Sequence, residues 1–307
     1  MSRKNPLLQR LEYAAYRVVA ARVAKMSDES AAKWGTRIGN LTRVFARRRN
    51  RLAIANLRLA LPERAAEAEA IVAECWRHFG RELLAYIRER DLPLEQLSER
   101  CPFVNEEILQ NALSDGKGVM LISAHYGGWE IAGLAVTAHV KNVMTVARPL
   151  DNALLESELA RERARTGVAI VDRRHAARGL LKTLNENGLI VLLPDQAVLP
   201  REGTLVPFLG RPAWTTDAPA KMALRVGSTI VFAFCIPGKP GQHRLEFEEP
   251  IRVEELSEGE RDPVALTQRI NDVISRRIAA RPELWLWMHD RWKGTASGTR
   301  SDVLNGE

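Results

Sequence analysis

The sequence predicts an α/β fold with a mostly parallel central sheet flanked by helices, preceded by a helical N-terminal region. Three observations carry this. From about residue 115, short apolar runs alternate with amphipathic segments, the pattern of strands and helices laid down in turn. Several of those runs, such as 119–124 and 229–236, are nearly continuous in apolar residues, as strands buried on both faces are. The first hundred residues contain no such run and keep helical spacing throughout.

Residues 7–26 form an amphipathic helix. Leu7, Leu8, Leu11, Ala14, Ala15, Val18 and Val19 fall on one side, Arg10 and Arg17 lie off it, and Arg22 intrudes. Its apolar face has two possible uses, docking on the protein's own core or contact with lipid. Ser27 and Asp28 cap a second helix reaching Gly35 or beyond. The run Arg47-Arg48-Arg49-Asn50-Arg51 opens a third, whose apolar face includes Ile54, Leu57 and Leu61, and residues 65–90 make a long fourth. Then follow a strand at 119–124, a helix from Trp129, a strand at 143–147, and a helix at 153–165 stopped by Gly167. A strand at 168–171, a helix at 176–187 closed by Gly188 and a strand at 189–193 come next. Residues 216–226 form a helix and 229–236 a strong strand. A Gly-Lys-Pro-Gly turn leads into the alternating strand 244–248. Asp262 and Pro263, as cap and first helical residue, start a last helix running to Ala280. The resulting division is a helical region at 1–100, an α/β core at 101–293 and a disordered Gly/Ser/Thr-rich tail at 294–307.

The net charge of the 307 residues is +7, unevenly spread. Residues 1–58 hold 14 Lys/Arg against three acidic side chains, a surplus of eleven, so the remainder carries −4. A basic front on a near-neutral body points to an anionic partner, for which a membrane surface is favoured over nucleic acid: charge is the only feature supporting the latter. Five charges within residues 7–26 argue against a membrane span, each costing at least about 2.5–3.5 kcal/mol at the bilayer centre. Cys75, Cys101 and Cys235 are odd in number and widely separated, which speaks for a reducing compartment and against a disulfide or zinc framework. The six histidines show no ligand-spaced pair, so no metal is expected. Nucleotide-binding glycine motifs and the G-x-S-x-G elbow are absent.

The chemistry concentrates in residues 118–134, GVMLISAHYGGWEIAGL. His125 follows a buried strand at the end where open α/β sheets bind ligands. Gly127 and Gly128 allow a turn, and Glu130 falls in the first turn of the next helix. The intervening residues fold back so that the His125 and Glu130 side chains meet, making a general base with its orienting carboxylate. Two more polar clusters lie at strand ends: Arg148 to Asn152, and Pro194-Asp195-Gln196.

Four blocks (SAHYGGWE at 123–130, LPDQ at 193–196, VPFLGRPA at 206–213 and PELWLWMHDRW at 282–292) resemble the bacterial lipid A biosynthesis acyltransferases of the lauroyl/myristoyl type. Residues 47–63 and 147–152 match the same family's pattern in order, so the resemblance runs over roughly residues 5–293. It implies a glycerolipid-acyltransferase-like fold and transfer of a fatty acyl chain from acyl carrier protein or coenzyme A to a hydroxyl of a lipid A precursor or related glycolipid. It also implies work at the cytoplasmic face of the inner membrane, attached peripherally or through the N-terminus, with no resident cofactor. In that reaction His125 takes the proton of the acceptor hydroxyl and Glu130 orients the imidazole. Backbone N–H groups around Gly127 and Gly128 at the start of the following helix stabilise the oxyanion. Arg148 holds a phosphate or pairs with Asp151 or Glu130. Asp195 and Gln196 fix acceptor hydroxyls or brace the site. Arg211 meets phosphate or water, and Trp285, Trp287 and Trp292 anchor the core. Family members typically carry a frankly hydrophobic N-terminal anchor, whereas residues 7–26 here are charged throughout. Two other functions fit the same residues: an acyl thioesterase, and a non-enzymatic basic protein bound to anionic membranes.

Overall fold

A computed structural model describes residues 5–147, 150–172 and 176–295. Arg148 and the tail from residue 296 lie outside these.

The helical region comprises α1 (Pro6–Val23), α2 (Asp28–Phe45), α3 (Arg47–Ala60), α4 (Ala68–Glu89) and α5 (Leu94–Arg100). Asn5 caps α1, and Ser27 caps α2 through its side-chain oxygen. α2 lies on α4 at backbone distance because glycines face each other there. A Cβ on Gly39 would sit 2.1 Å from the Trp76 carbonyl oxygen, and one on Gly80 2.1 Å from that of Gly35.

α1 docks by the side opposite its predicted apolar face: near its C-terminal end Ala20 and Val23 pack against Ala31, Leu84 and Ile87, and the remaining contacts are polar. Tyr13 donates to Glu158 at 3.0 Å, and Asn152 donates to the Gln9 carbonyl at 3.0 Å and to the Glu12 carboxylate at 2.9 Å. Arg90 binds the Tyr16 hydroxyl. All seven apolar residues of the predicted face point to solvent, Leu7 and Leu11 with 64% and 60% of their surface exposed. Of the two uses open to this face, docking on the protein's own core is not the one adopted. α2 also exposes apolar side chains, Trp34, Leu41 and Phe45, spaced at helical intervals on the flank away from α4. The Arg37 guanidinium sits 4.8 Å over the Trp34 ring.

The core follows as β1 (Phe103–Val104), α6 (Glu106–Ser114), β2 (Val119–Ile122), α7 (Trp129–His139), β3 (Val143–Ala147), α8 (Ala153–Thr166), β4 (Ala169–Asp172), α9 (Ala176–Asn185) and β5 (Leu189–Leu192). The hairpin β6 (Thr204–Phe208) and β7 (Arg211–Thr215), then α10 (Ala218–Val226), β8 (Thr229–Pro237), β9 (His243–Ile251) and α11 (Pro263–Ala280), complete it. The sheet order is β1-β9-β8-β2-β5-β3-β4. Within this sheet, among the described residues, β8–β9 is the one antiparallel pairing, as the short turn between them requires. β2 and β5 sit at the centre, each parallel to its partners and in register from Val119–Leu189 to Ile122–Leu192. Apolar clusters fill both faces of the sheet, Met120, Ile122, Ile190 and Phe232 on one and Val119, Leu121, Val231 and Ala233 on the other. Alternate residues of one strand thus serve opposite cores, which is why these strands are apolar without interruption. The β6–β7 hairpin was not expected from the sequence; its turn residues Leu209 and Gly210 both take left-handed backbone conformations.

Candidate active site

The two central strands end side by side, and their C-terminal extensions build the site. Past β2 the chain stays extended through Ser123, whose N–H donates to the Leu192 carbonyl at 3.0 Å. The His125 carbonyl then accepts from Leu286 N–H at 3.1 Å, and Gly127 N–H donates to Leu284 at 2.9 Å, so residues 284–286 clasp the segment like an added strand. Gly127 must be glycine. Its φ is +57°, and a Cβ would stand 1.9 Å from the Cys235 carbonyl oxygen. The turn this permits delivers the chain into α7.

His125 is held by Asp195 from the extension of β5. The imidazole Nδ1 lies 2.9 Å from Asp195 Oδ1, and the His125 backbone N–H donates to Oδ2 at 3.0 Å. The Trp285 indole N–H donates to the same oxygen at 2.8 Å. Asp195 is completely buried. Burial pushes its pKa up, but the charge of His125, the hydrogen bond to the imidazole, and those from the indole and the His125 backbone outweigh it and the net shift is downward. A carboxylate accepting from Nδ1 fixes the tautomer with the proton on Nδ1 and leaves Nε2 basic. Gln196 Nε2 lies 3.3 Å from that nitrogen. For His125, burial pulls the pKa down, yet the charge of Asp195 and its hydrogen bond, with a smaller contribution from Glu130, turn the net shift upward.

Several sequence expectations change here. Glu130 does stand in the first turn of α7, but it is exposed and makes no hydrogen bond to His125 among the described residues; Asp195 occupies the ring nitrogen an orienter needs. Its influence on the imidazole is through its field. The amides of Gly127 and Gly128 are committed to the carbonyls of Leu284 and Cys235, so neither is free to bind an oxyanion. Asp195 and Gln196 do meet at His125, Asp195 as its direct partner. Arg211 opens β7 and donates to the Leu59 carbonyl at 3.4 Å, tying the hairpin to α3. Trp285, Trp287 and Trp292 are buried as expected, but Trp285 also joins the site through its indole. Its spacing from the other tryptophans reads only as core packing, and nothing in the sequence signals the contact with Asp195.

His289 also belongs to the neighbourhood. Its Nε2 accepts from Ala197 N–H at 3.0 Å, and its chain is fixed by Asn56, which donates to the carbonyls of Trp287 and His289, and by Arg49, which donates to that of Met288. Among the described residues no group of three or more His, Cys, Asp or Glu side chains is arranged to hold a metal ion.

A paired carboxylate and imidazole at the C-terminal ends of central parallel strands can accept a proton from a hydroxyl and return it to a leaving group. Residues 1–294 match the family model described as bacterial lipid A biosynthesis acyltransferase. The chain belongs to this family. It is 26% identical over 268 residues to the lipid A biosynthesis palmitoleoyltransferase of Escherichia coli K12, covering 87% of this chain and 86% of that one. The lauroyltransferase of the same organism is 23% identical over 270 residues, with 87% and 86% covered. A phosphatidylinositol mannoside acyltransferase of Mycolicibacterium smegmatis is 25% identical over 209 residues, 67% of this chain and 66% of that one. The protein is therefore an acyltransferase of the lipid A biosynthesis family.

Proposed function

We propose that this acyltransferase moves a fatty acyl chain from a thioester, of acyl carrier protein or of coenzyme A, to a hydroxyl of a lipid A precursor or closely related glycolipid. The observation that carries the reading is the buried Asp195 holding His125 so that Nε2 is left as a base. As the acceptor oxygen attacks the thioester carbonyl carbon, its proton passes to Nε2 of His125, in the place where the Gln196 amide now rests. Asp195 stabilises the imidazolium so formed. Collapse of the tetrahedral intermediate breaks the carbon–sulfur bond, and the departing thiolate takes the proton from His125. Glu130 raises the basicity of the imidazole from a distance.

The reaction takes place at an anionic membrane surface. No described helix is long and apolar enough to cross a membrane. The outward apolar faces of α1 and α2, bordered by Arg10, Lys33, Arg37, Arg43 and Arg47, have the composition of a surface that lies in the lipid interface.

The test supplies acyl carrier protein carrying a labelled acyl chain, with O-deacylated lipid A in vesicles as acceptor. The wild type is expected to place label in lipid, and His125→Ala to lose about 10²–10⁴ of the rate while keeping its fold. Label recovered only as free fatty acid would make the protein a thioesterase, and near-normal transfer by His125→Ala would overturn the mechanism.

A further inference from the structure

The glycine amides of the turn are occupied, which leaves open what receives the negative charge on the thioester oxygen. The first-turn amides of α7 are one source, since the leading N–H groups of a helix have no intrahelical acceptor. A second imidazole, His289, lies close enough to His125 and Asp195 to feel the charge of both. His289 has its Nε2 committed as an acceptor from Ala197 N–H. A nitrogen that accepts carries no proton, so the imidazole, while neutral, has its proton on Nδ1. That Nδ1 has no hydrogen-bond partner among the described residues and is not fully buried.

The placement is built rather than incidental. Ala197 directly follows Asp195 and Gln196, the two residues that touch the His125 ring, so the same short segment holds both imidazoles. On the other side, Asn56 and Arg49 grip three successive carbonyls around His289, and Leu286 N–H is bonded to the His125 carbonyl. Two rings so fixed keep a constant relation to each other, as a preorganised charge-stabilising site requires. The surroundings also keep the His289 ring neutral: burial lowers its pKa most, with Arg291, His125 and Arg49 adding to the effect against the opposing charge of Asp195, and it falls to about 4. The same positive groups favour negative charge arising close by.

Resting on the acyl-transfer reading above, we propose that His289 donates its Nδ1–H to the thioester carbonyl oxygen as that oxygen becomes an oxyanion. The acceptor oxygen forms its bond to the carbonyl carbon, the carbonyl π pair moves onto oxygen, and the hydrogen bond from His289 shortens against the new charge. No proton leaves His289 at any stage. The proton of the acceptor hydroxyl goes to His125 and from there to the departing thiolate. One imidazole is thus the base and the other a fixed neutral donor. The difference between them is set by which ring nitrogen each has committed, Nδ1 to Asp195 in His125 and Nε2 to Ala197 in His289.

Thiol release from long-chain acyl carrier protein, with O-deacylated lipid A vesicles as acceptor, reads the rate. His289→Ala is expected to lose on the order of 10²–10³ in kcat with little change in KM for the thioester. His289→Asn, whose amide nitrogen takes the position of Nδ1, is expected to recover at least about tenfold over His289→Ala. His289→Gln, whose amide oxygen replaces only the Nε2 acceptor for Ala197, is not. In the unmodified enzyme, ¹⁵N spectra of the imidazoles should show the His289 proton on Nδ1, a measurement that needs no variant to fold. Wild-type turnover with a His289→Ala loss below about threefold, a loss confined to KM, equal rates for the Asn and Ala variants, or a proton found on Nε2 would each overturn the proposal. No wild-type turnover with any thioester would instead overturn the acyl-transfer reading on which it rests.

Discussion

Asp195→Asn isolates the tautomer argument, because it changes one atom in a side chain that is fully buried and fully hydrogen-bonded. In the native site Oδ2 accepts two N–H groups, from the His125 backbone at 3.0 Å and the Trp285 indole at 2.8 Å, and Oδ1 faces the imidazole at 2.9 Å. Asparagine has a single carbonyl oxygen. Facing it toward the two fixed donors keeps two hydrogen bonds, whereas the opposite flip keeps one and sets its NH₂ against both donors. The first orientation wins, and the NH₂ then points at Nδ1. An imidazole opposite an N–H donor must present a lone pair, so its proton moves to Nε2, the nitrogen that has to act as base. The same substitution in a Ser-His-Asp triad costs about 10⁴ in kcat by this route, equivalent to about 5 kcal/mol of transition-state stabilisation. A loss of that order is expected here, with KM little affected. The assay is steady-state acyl transfer from acyl carrier protein, with circular dichroism to show that the variant is folded. An Asp195→Asn enzyme within tenfold of the wild type would refute the assignment of Asp195 as the residue that sets the His125 tautomer.

Other consequences are equally open to measurement. On the proposed mechanism transfer needs neutral His125, whose pKa is raised above its ordinary 6.5, so the acid limb of the kcat/KM profile should have its midpoint above that value. Glu130→Gln should move it to lower pH at a small cost in maximal rate, and a loss as large as that of Asp195→Asn would return Glu130 to the role of direct orienter. Leu11→Asp together with Phe45→Asp should weaken sedimentation with phosphatidylglycerol vesicles while sparing stability. Trp34, half exposed beside Arg37, should shift its fluorescence to shorter wavelength on those vesicles, and an unchanged spectrum with unchanged binding would exclude α2 from the interface. Gly39→Ala drives a Cβ to 2.1 Å from the Trp76 carbonyl oxygen and should cost roughly 1–3 kcal/mol or more; a variant melting with the wild type would show that α2 and α4 part easily.

How much of this was legible in the sequence depends on how local the cause is. The central strands were readable because burial on both faces forces uninterrupted apolar residues, and His125 was readable because it follows such a run directly. The identity of its carboxylate was not. Glu130 lies five residues away along the chain and Asp195 seventy, and sequence proximity favoured the wrong one. What pairs His125 with Asp195 is the register of β2 against β5, from Val119–Leu189 to Ile122–Leu192, which carries the two strand ends forward together. That register is a property of the assembled sheet. The Gly127 and Gly128 amides were misread for a related reason: their carbonyl partners, Leu284 and Cys235, come from segments more than a hundred residues downstream. α1 shows a subtler limit. Its apolar face was visible on a helical wheel, but an apolar face identifies no partner. Only the contacts on the opposite side, polar ones from Tyr13, Gln9 and Glu12 to residues 152–158 and apolar ones from Ala20 and Val23, show that it turns outward.

Those contacts also bear on how the enzyme would meet its substrate. The Gln9 side chain accepts from the backbone N–H of Ala153, at the start of α8, and Asn152 reaches back to Gln9 and Glu12. Residues 152 and 153 follow β3, which pairs with β5 along Val143–Leu189, Met144–Ile190 and Thr145–Val191. The polar side of α1 is therefore fastened to the same edge of the sheet from which His125 and Asp195 project. A membrane engaging the outward side of α1 would lie next to that edge, and a glycolipid could offer its hydroxyl to His125 with its acyl chains still in the bilayer. On the proposed reading a thioester donor carried by a soluble partner would need a separate approach, and the exposed arginines at the start of α3 would offer an electrostatic one: Arg49 is bonded to the Met288 carbonyl beside His289. Substituting Arg47, Arg48 and Arg51 by alanine should then raise KM for acyl carrier protein and flatten its dependence on ionic strength, since exposed charges are screened over about 10 Å at 0.1 M salt. If KM for the carrier and its salt dependence stay as in the wild type while vesicle binding falls, the arginines serve the lipid instead, and both substrates approach from the membrane side.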